Sequence, residues 1–151
     1  RSVRKGARPM EDVYNAKILE FAGNIPRIGR LDNPDASAKA HSKLCGSTVI
    51  VDLSMRGGVV ANYAHDVKAC ALGQASASIL ARNIIGARVD ELRTVRETML
   101  KENGPAPEGR FAELKFLEPV RDYKARHAST LLVFDAVVDC LDQIESKVAA
   151  A

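Results

Sequence analysis

A chain of 151 residues has the length of one ordinary domain; such a domain buries roughly 70% of the surface its unfolded chain exposes, so one compact core is expected without disulfides. At 46% hydrophobic and 27% charged, the composition excludes wholesale disorder and fibrous repeats, and apolar runs of about four residues, as at Leu131 to Phe134, exclude a membrane span, which needs roughly 20. The net charge of +3 rests on Arg1, Arg4, Lys5 and Arg8, all ahead of the first acid, Glu11; the remainder has 18 bases against 19 acids and no footprint for nucleic acid.

Residues 1–9 form a basic leader without the apolar stretch of a secretory signal. An added cloning segment, an extended start and a trimmed transit peptide all fit it. It is expected to be disordered or outside the core, leaving 10–151 as a single domain. Three cysteines do not make a disulfide framework. Reduced thiols in the cytoplasm are expected, or in the mitochondrial matrix if the leader is a transit-peptide remnant.

From Asp12 to Ala22, Tyr14, Ile18, Phe21 and Ala22 fall at helical spacing, with Gly23 as the stop. The stretch Asn24 to Pro34 holds two prolines and Gly29 and reads as a loop. Ala36 to Lys43 reads as a short polar edge strand. Val49, Val51, Leu53 and Met55 alternate within Ser47 to Met55, as do Val59, Ala61, Tyr63 and Val67 within Val59 to Ala69. Gly57 and Gly58, between these runs, suit a tight hairpin turn. Ala71 to Ile85 is helical and apolar nearly all round, which implies a buried helix ending before Gly86. Asp90 caps a further helix toward Asn103, stopped by Gly104 and Pro105. Gly109 to Leu117 suggests a short helix before Pro119. The last helix, about His127 to Val148, carries Leu131, Phe134, Val138 and Leu141 along one stripe. A small sheet followed mainly by helices predicts an α+β domain.

A two-residue turn at Gly57 and Gly58 would set Cys45 directly opposite Cys70. Opposed Cβ atoms lie about 4.5–5.5 Å apart, close enough for two thiolates to share one metal. A turn one residue different would leave them neighbours. Cys70 also precedes the buried helix, whose positive end favours thiolate, and Gly46 lets the backbone approach a ligand. The competing reading makes both cysteines small buried hydrophobes.

The run Cys70, Ala71, Leu72, Gly73, Gln74, Ala75, Ser76, Ala77, Ser78 resembles the second-cysteine motif of the SufU branch of the IscU/NifU-type iron–sulfur cluster assembly proteins. Leu44, Cys45 and Gly46 resemble the first-cysteine loop of that family, and the helix from Tyr14 and the stretch around Leu92 to Leu117 also look like that branch. The resemblance spans about Met10 to Ile144. It implies an α+β fold with a small three-stranded antiparallel sheet packed against several helices, and a metal site at one end of the sheet. It further implies a transient [2Fe–2S] cluster, or zinc with persulfide sulfur accepted from a cysteine desulfurase.

The sequence departs from the family's three cysteines and aspartate at two places. Ser47 stands where Cys-Gly is normally followed by Asp. His127, Ala128, Ser129, Thr130 and Leu131 resemble the motif His-Cys-Ser-x-Leu, with alanine at the cysteine; a shifted alignment puts Ser129 there instead. The ligand set implied is Cys45, Cys70 and His127, with one position open or filled by Ser47, water or a partner. Cys45 and Cys70 would carry the sulfur chemistry, and Arg126 would hold anionic sulfur or a partner carboxylate. His41 and His65 read as structural, and Cys140, flanked by Val137, Val138 and Leu141, as core.

Two function classes follow. The first is an iron–sulfur assembly factor, a scaffold or sulfurtransferase accessory rather than a stand-alone enzyme, which binds zinc or a [2Fe–2S] cluster and serves apo iron–sulfur acceptor proteins. The second is a non-catalytic SufU-like structural or interaction subunit of a larger multisubunit complex, with no cofactor because the site is degenerate.

Overall fold

A computed structural model describes residues 14–43, 46–101, 104 and 108–150. The leader therefore lies outside the described residues, as do Leu44 and Cys45. The first helix, α1 (Ala16–Gly23), starts where the Asn15 side chain accepts the Ile18 N–H at 3.0 Å. That bond satisfies one of the orphan donors at a helix start. Gly23 is its last helical residue rather than the stop.

Three strands follow, β1 (Ala36–His41), β2 (Thr48–Arg56) and β3 (Val59–Lys68), paired antiparallel in the order β1-β2-β3. The expected α+β class with a three-stranded antiparallel sheet is what the chain adopts. Val49, Val51 and Leu53 turn toward the helices and are buried, as the alternation in β2 requires.

The hairpin register departs from the expected one. Met55 pairs with Val60 and Arg56 with Val59, as a Gly57–Gly58 turn dictates, but Ser54 pairs with Asn62, leaving Ala61 as the extra residue of a bulge. One extra residue inverts facing. Val60 and Tyr63 are therefore buried while Ala61 is exposed, so Ala61 does not share the core face expected of it. Beyond the bulge every pair is displaced by one, ending at Thr48 opposite Lys68.

Helices α2 (Ala71–Asn83) and α4 (His127–Ala150) cover the inner face of the sheet, and α1 packs on α2. Nearly every side of α2 from Leu72 to Ala81 is buried. Between them, α3 (Val89–Thr98) begins at Arg88 rather than at an Asp90 cap, with the Arg88 N–H bonded to the Glu91 carboxylate at 3.1 Å. It ends at Thr98, short of the expected Asn103.

A run of 3-10 turns then occupies Gly109–Asp122 and passes through Pro119 instead of stopping before it. A 3-10 helix has three residues per turn. Phe111, Leu114, Leu117 and Val120 recur at that period and are its buried residues.

The loop 24–35 closes the other side of the sheet. Ile28 bridges to His65, and Gly29 and Arg27 exchange backbone hydrogen bonds with it at 2.9 and 3.1 Å, covering the free edge of β3. The chain then crosses the outer face. There the buried Asp52 carboxylate accepts from Arg30 Nε at 2.7 Å, Leu31 N at 2.9 Å and Ser37 Oγ at 2.6 Å. Burial alone would raise this carboxyl, but the hydrogen bonds from Arg30, Ser37 and Leu31 outweigh it and hold Asp52 below the usual value. No helix among the described residues is long and apolar enough to cross a membrane.

Candidate metal and sulfur site

Cys70 is the N-cap of α2, with extended backbone (φ −67°, ψ 172°), and its thiol makes no capping bond. It is half-buried and in no disulfide among the described residues. Its carbonyl accepts the Gln74 N–H at 2.9 Å, while the Gln74 amide donates to the Ala69 carbonyl at 2.6 Å, so both residues leading into the helix are fixed.

Gly73, one turn into α2, sets the distance to α4. A Cβ added there would lie 2.8 Å from Ala69 Cβ and 3.2 Å from the Ser129 carbonyl oxygen. Only glycine lets the two helix starts come so close. The buried Ser76 hydroxyl donates to the Thr130 carbonyl at 2.6 Å, locking the same pair one turn further on. The start of α4 is thereby held beside Cys70. The sequence names Gly73 and Ser76 only within the Cys70 motif and assigns neither a role of its own. A glycine inside an otherwise helical pattern was the available signal, since such a residue costs about 1 kcal/mol against alanine unless packing requires it.

At that start, His127 Nε2 donates to the carbonyls of Val120 at 2.9 Å and Arg121 at 3.1 Å. In the neutral ring this leaves the lone pair on Nδ1, the carbonyl-fixed arrangement common in metal-ligating histidines. Ala128 is exposed, whereas Ser129 is buried and donates to the Arg126 carbonyl at 3.1 Å. Both alignments of this motif therefore place at the third position a residue without a thiol.

The turn joining β1 and β2 carries the other cysteine. Ser42 N bonds to the Ser47 carbonyl at 2.9 Å and Gly46 N to the Ser42 carbonyl at 2.8 Å, with Gly46 at φ +70°. That backbone, not crowding, calls for glycine, because nothing lies within 4 Å of a Cβ built there. Thr48 pairs with both His41 and Lys68, so this turn and the Ala69–Cys70 segment emerge at one end of the sheet. The expected pairing of Cys45 directly with Cys70 does not follow from the observed register. Past the bulge it is Gly46, not Cys45, that would continue the ladder opposite Cys70, and the pairing ends before either. Cys45 itself lies outside the described residues.

The remaining candidates are elsewhere. Cys140 is fully buried, its thiol 3.6 Å from the Val51 carbonyl, and about 20 Å along α4 from His127 at 1.5 Å rise per residue. His65 is fully buried, with Nε2 donating to the Pro26 carbonyl at 2.9 Å and Nδ1 facing the Tyr63 hydroxyl at 3.3 Å. His41 is exposed and bonded to Thr48. Among the described residues no three His, Cys, Asp or Glu side chains are grouped to hold a metal.

Known proteins share this fold. The structure of a nitrogen-fixing NifU-like protein (N-terminal) from Brucella abortus is similar at 70% identity and a TM-score of 0.88, over 91% of this chain and 98% of that one. The iron–sulfur cluster assembly scaffold protein IscU of Thermotoga maritima is 26% identical over 134 residues, 87% of this chain and 94% of its own length. A protein described as a scaffold for the SUF system, from Fervidobacterium islandicum, shares the fold at 20% identity and a TM-score of 0.76, over 85% of this chain and 96% of that one. The family model of the NifU-like N-terminal domain matches residues 13–129, most of the sheet and helices described above, and on that match the chain belongs to the NifU-like family of iron–sulfur cluster assembly scaffolds.

Proposed function

We propose that this chain handles sulfur and metal for iron–sulfur cluster assembly, with Cys70 at the centre of the site. The observation that supports the reading is the close approach at Gly73, which brings the first turn of α2, headed by the half-buried Cys70, against Ser129 in the first turn of α4. Cys45 would supply the second thiol. Two thiols and an imidazole suit zinc, which takes mixed sulfur and nitrogen ligands. They suit an all-thiolate [2Fe–2S] cargo less well, because Ala128 and Ser47 supply neither a thiol nor a carboxylate. Zinc would act here as a Lewis acid that keeps the coordinating thiols deprotonated. Cys70 and Cys45 would bind it through sulfur, and His127 through Nδ1.

In sulfur transfer, the Cys70 thiolate attacks the outer sulfur of a cysteine desulfurase persulfide. A new S–S bond forms at Cys70, the old one breaks, and the desulfurase thiolate leaves, so no external oxidant is needed. The sulfur then passes to acceptor proteins. Mass spectrometry of the full chain, incubated with a cysteine desulfurase and cysteine, should show one added sulfur on the Cys70 peptide and none in Cys70→Ser. An unmodified Cys70 would reject sulfur transfer.

One observation favours a second reading. Ser47 is buried and Ala128 exposed where the resembled family carries ligands, which is compatible with a non-catalytic subunit that retains the fold inside a larger assembly. Metal and labile-sulfide analysis separates the two: stoichiometric zinc or iron supports the first, and a metal-free protein after anaerobic purification supports the second.

A further inference from the structure

We infer that the end of the molecule around Cys70 is a docking surface for a partner protein that presents a compact patch of carboxylates. The inference deepens the sulfur-handling reading by naming the chemistry of the partner at the same site. It begins with charge placement. None of the 19 Asp and Glu residues falls within 36–51, 67–89 or 123–134, and the sheet register and the Gly73 contact bring parts of these segments, around Thr48, Cys70 and Ser129, to one end. What they do carry there is Lys43 in the β1–β2 turn, Lys68 at the end of β3, and Lys124 and Arg126 before α4. Lys43, Lys68 and Lys124 are exposed and Arg126 is half-buried.

The placement is tight. Thr48 pairs with His41 on one side and Lys68 on the other, so His41 and Lys68 straddle it on the outer face within about 10 Å, two strand spacings. Lys68 is two residues from Cys70, and the Arg126 carbonyl holds the hydroxyls of Ser129 and Thr130, which lie against α2. Asp66 and Asp122 bound the segments and are the flanking acids.

The gathering of unpaired bases in an acid-free end is what gives the patch meaning. Arg82, Arg88, Arg93, Arg96 and Arg110 all pair with carboxylates. Lys43, Lys68, Lys124 and Arg126 pair with none among the described residues. Like charges held together around a thiol are mutually repulsive and are relieved by an opposite surface, which also steers encounter and fixes register. A long polyanion such as nucleic acid fits less well, because residues 10–151 as a whole carry 18 bases against 19 acids. A compact acidic patch matches the area.

Fluorescein-labelled decaglutamate serves as the probe, measured by anisotropy on the full chain. Its binding should weaken at least about threefold for each of Lys43→Glu, Lys68→Glu and Lys124→Glu, fall with added salt, and be unchanged by Arg56→Glu at the far hairpin tip. Bound peptide should also slow iodoacetamide alkylation read at the Cys70 peptide. The inference is overturned if the peptide does not bind, if Arg56→Glu weakens it equally, if Cys70 is not protected, or if decathymidylate binds more tightly. Failure of the sulfur-handling reading would show separately, as an unmodified Cys70 in a chain that still binds the peptide.

Discussion

Cys140 lies against the Val51 carbonyl with no exposure, and burial first, then Asp139 and Asp52, push its thiol up to about 12. At pH 8 roughly one such thiol in ten thousand is ionised, and only the thiolate reacts. Iodoacetamide should therefore label Cys70 in the native chain and reach Cys140 only after unfolding; equal labelling of the two would mean that α4 does not pack as described. The same contrast ranks the ligands. Cys70→Ser should abolish stoichiometric zinc binding and His127→Ala should weaken it strongly, whereas Cys140→Ala should leave chelator competition unchanged while costing about 1 kcal/mol of stability from the lost core volume. The reverse ranking would overturn the proposed ligand set. At this scale the sequence separates the cysteines well, because Cys140 is surrounded by valine and leucine and Cys70 stands before a helix. What it does not convey is that His127 is tied through Nε2 to Val120 and Arg121, since that depends on the path of the 3-10 run.

Between elements, the contact that places the site is the crossing of α2 and α4 at Gly73. Gly73→Ala should cost about 1–3 kcal/mol, the usual range for overpacking, because the new methyl meets Ala69 and the Ser129 backbone, neither of which is a flexible side-chain tip. Gly23→Ala is the control: α1 presents nothing within 4 Å of a Cβ there, so the higher helix propensity of alanine should be neutral or stabilising by up to about 1 kcal/mol. Urea denaturation of the two variants checks the sign of each, and a Gly73→Ala protein as stable as the parent would show that the helices are not so close. The elements themselves are legible where one period dominates, as in the alternation of β2 and the all-round apolar α2. They are misread where two signals compete. Val59, Ala61, Tyr63 and Val67 look like one clean alternation because alanine is equally at home inside or outside, so nothing in the residues marks the bulge that exposes Ala61 and buries Val60. Phe111, Leu114, Leu117 and Val120 spell a period of three, but Pro119 reads as a stop. In the fold the 3-10 run carries it.

Taken as a whole, the molecule is a sheet held between two helices on one side and a single crossing loop on the other, and that loop is fastened by two ionisable groups. Asp52 binds Arg30, Leu31 and Ser37, while His65 donates to Pro26 and faces Tyr63. Both have folded values below their ordinary ones: His65 mainly because burial disfavours the imidazolium, Asp52 because its hydrogen bonds outweigh its burial. In each case the unfolded chain takes up the proton at a higher pH than the folded one, so each group makes stability fall on acidification. The contribution of His65 is complete above its unfolded value of 6.5 and is lost as pH falls through its lower folded value. The contribution of Asp52 is complete above its unfolded value of 3.8 and is lost only below that. The urea midpoint should therefore decline in two separate limbs. His65→Phe, which cannot titrate but forfeits the bond to Pro26, should lower the midpoint at neutral pH and flatten the upper limb while leaving the lower one. Arg30→Ala should do the converse, raising the Asp52 carboxyl toward its unfolded value and so shortening or reversing the lower limb without touching the upper. An upper limb that survives unchanged in His65→Phe would assign it to another group.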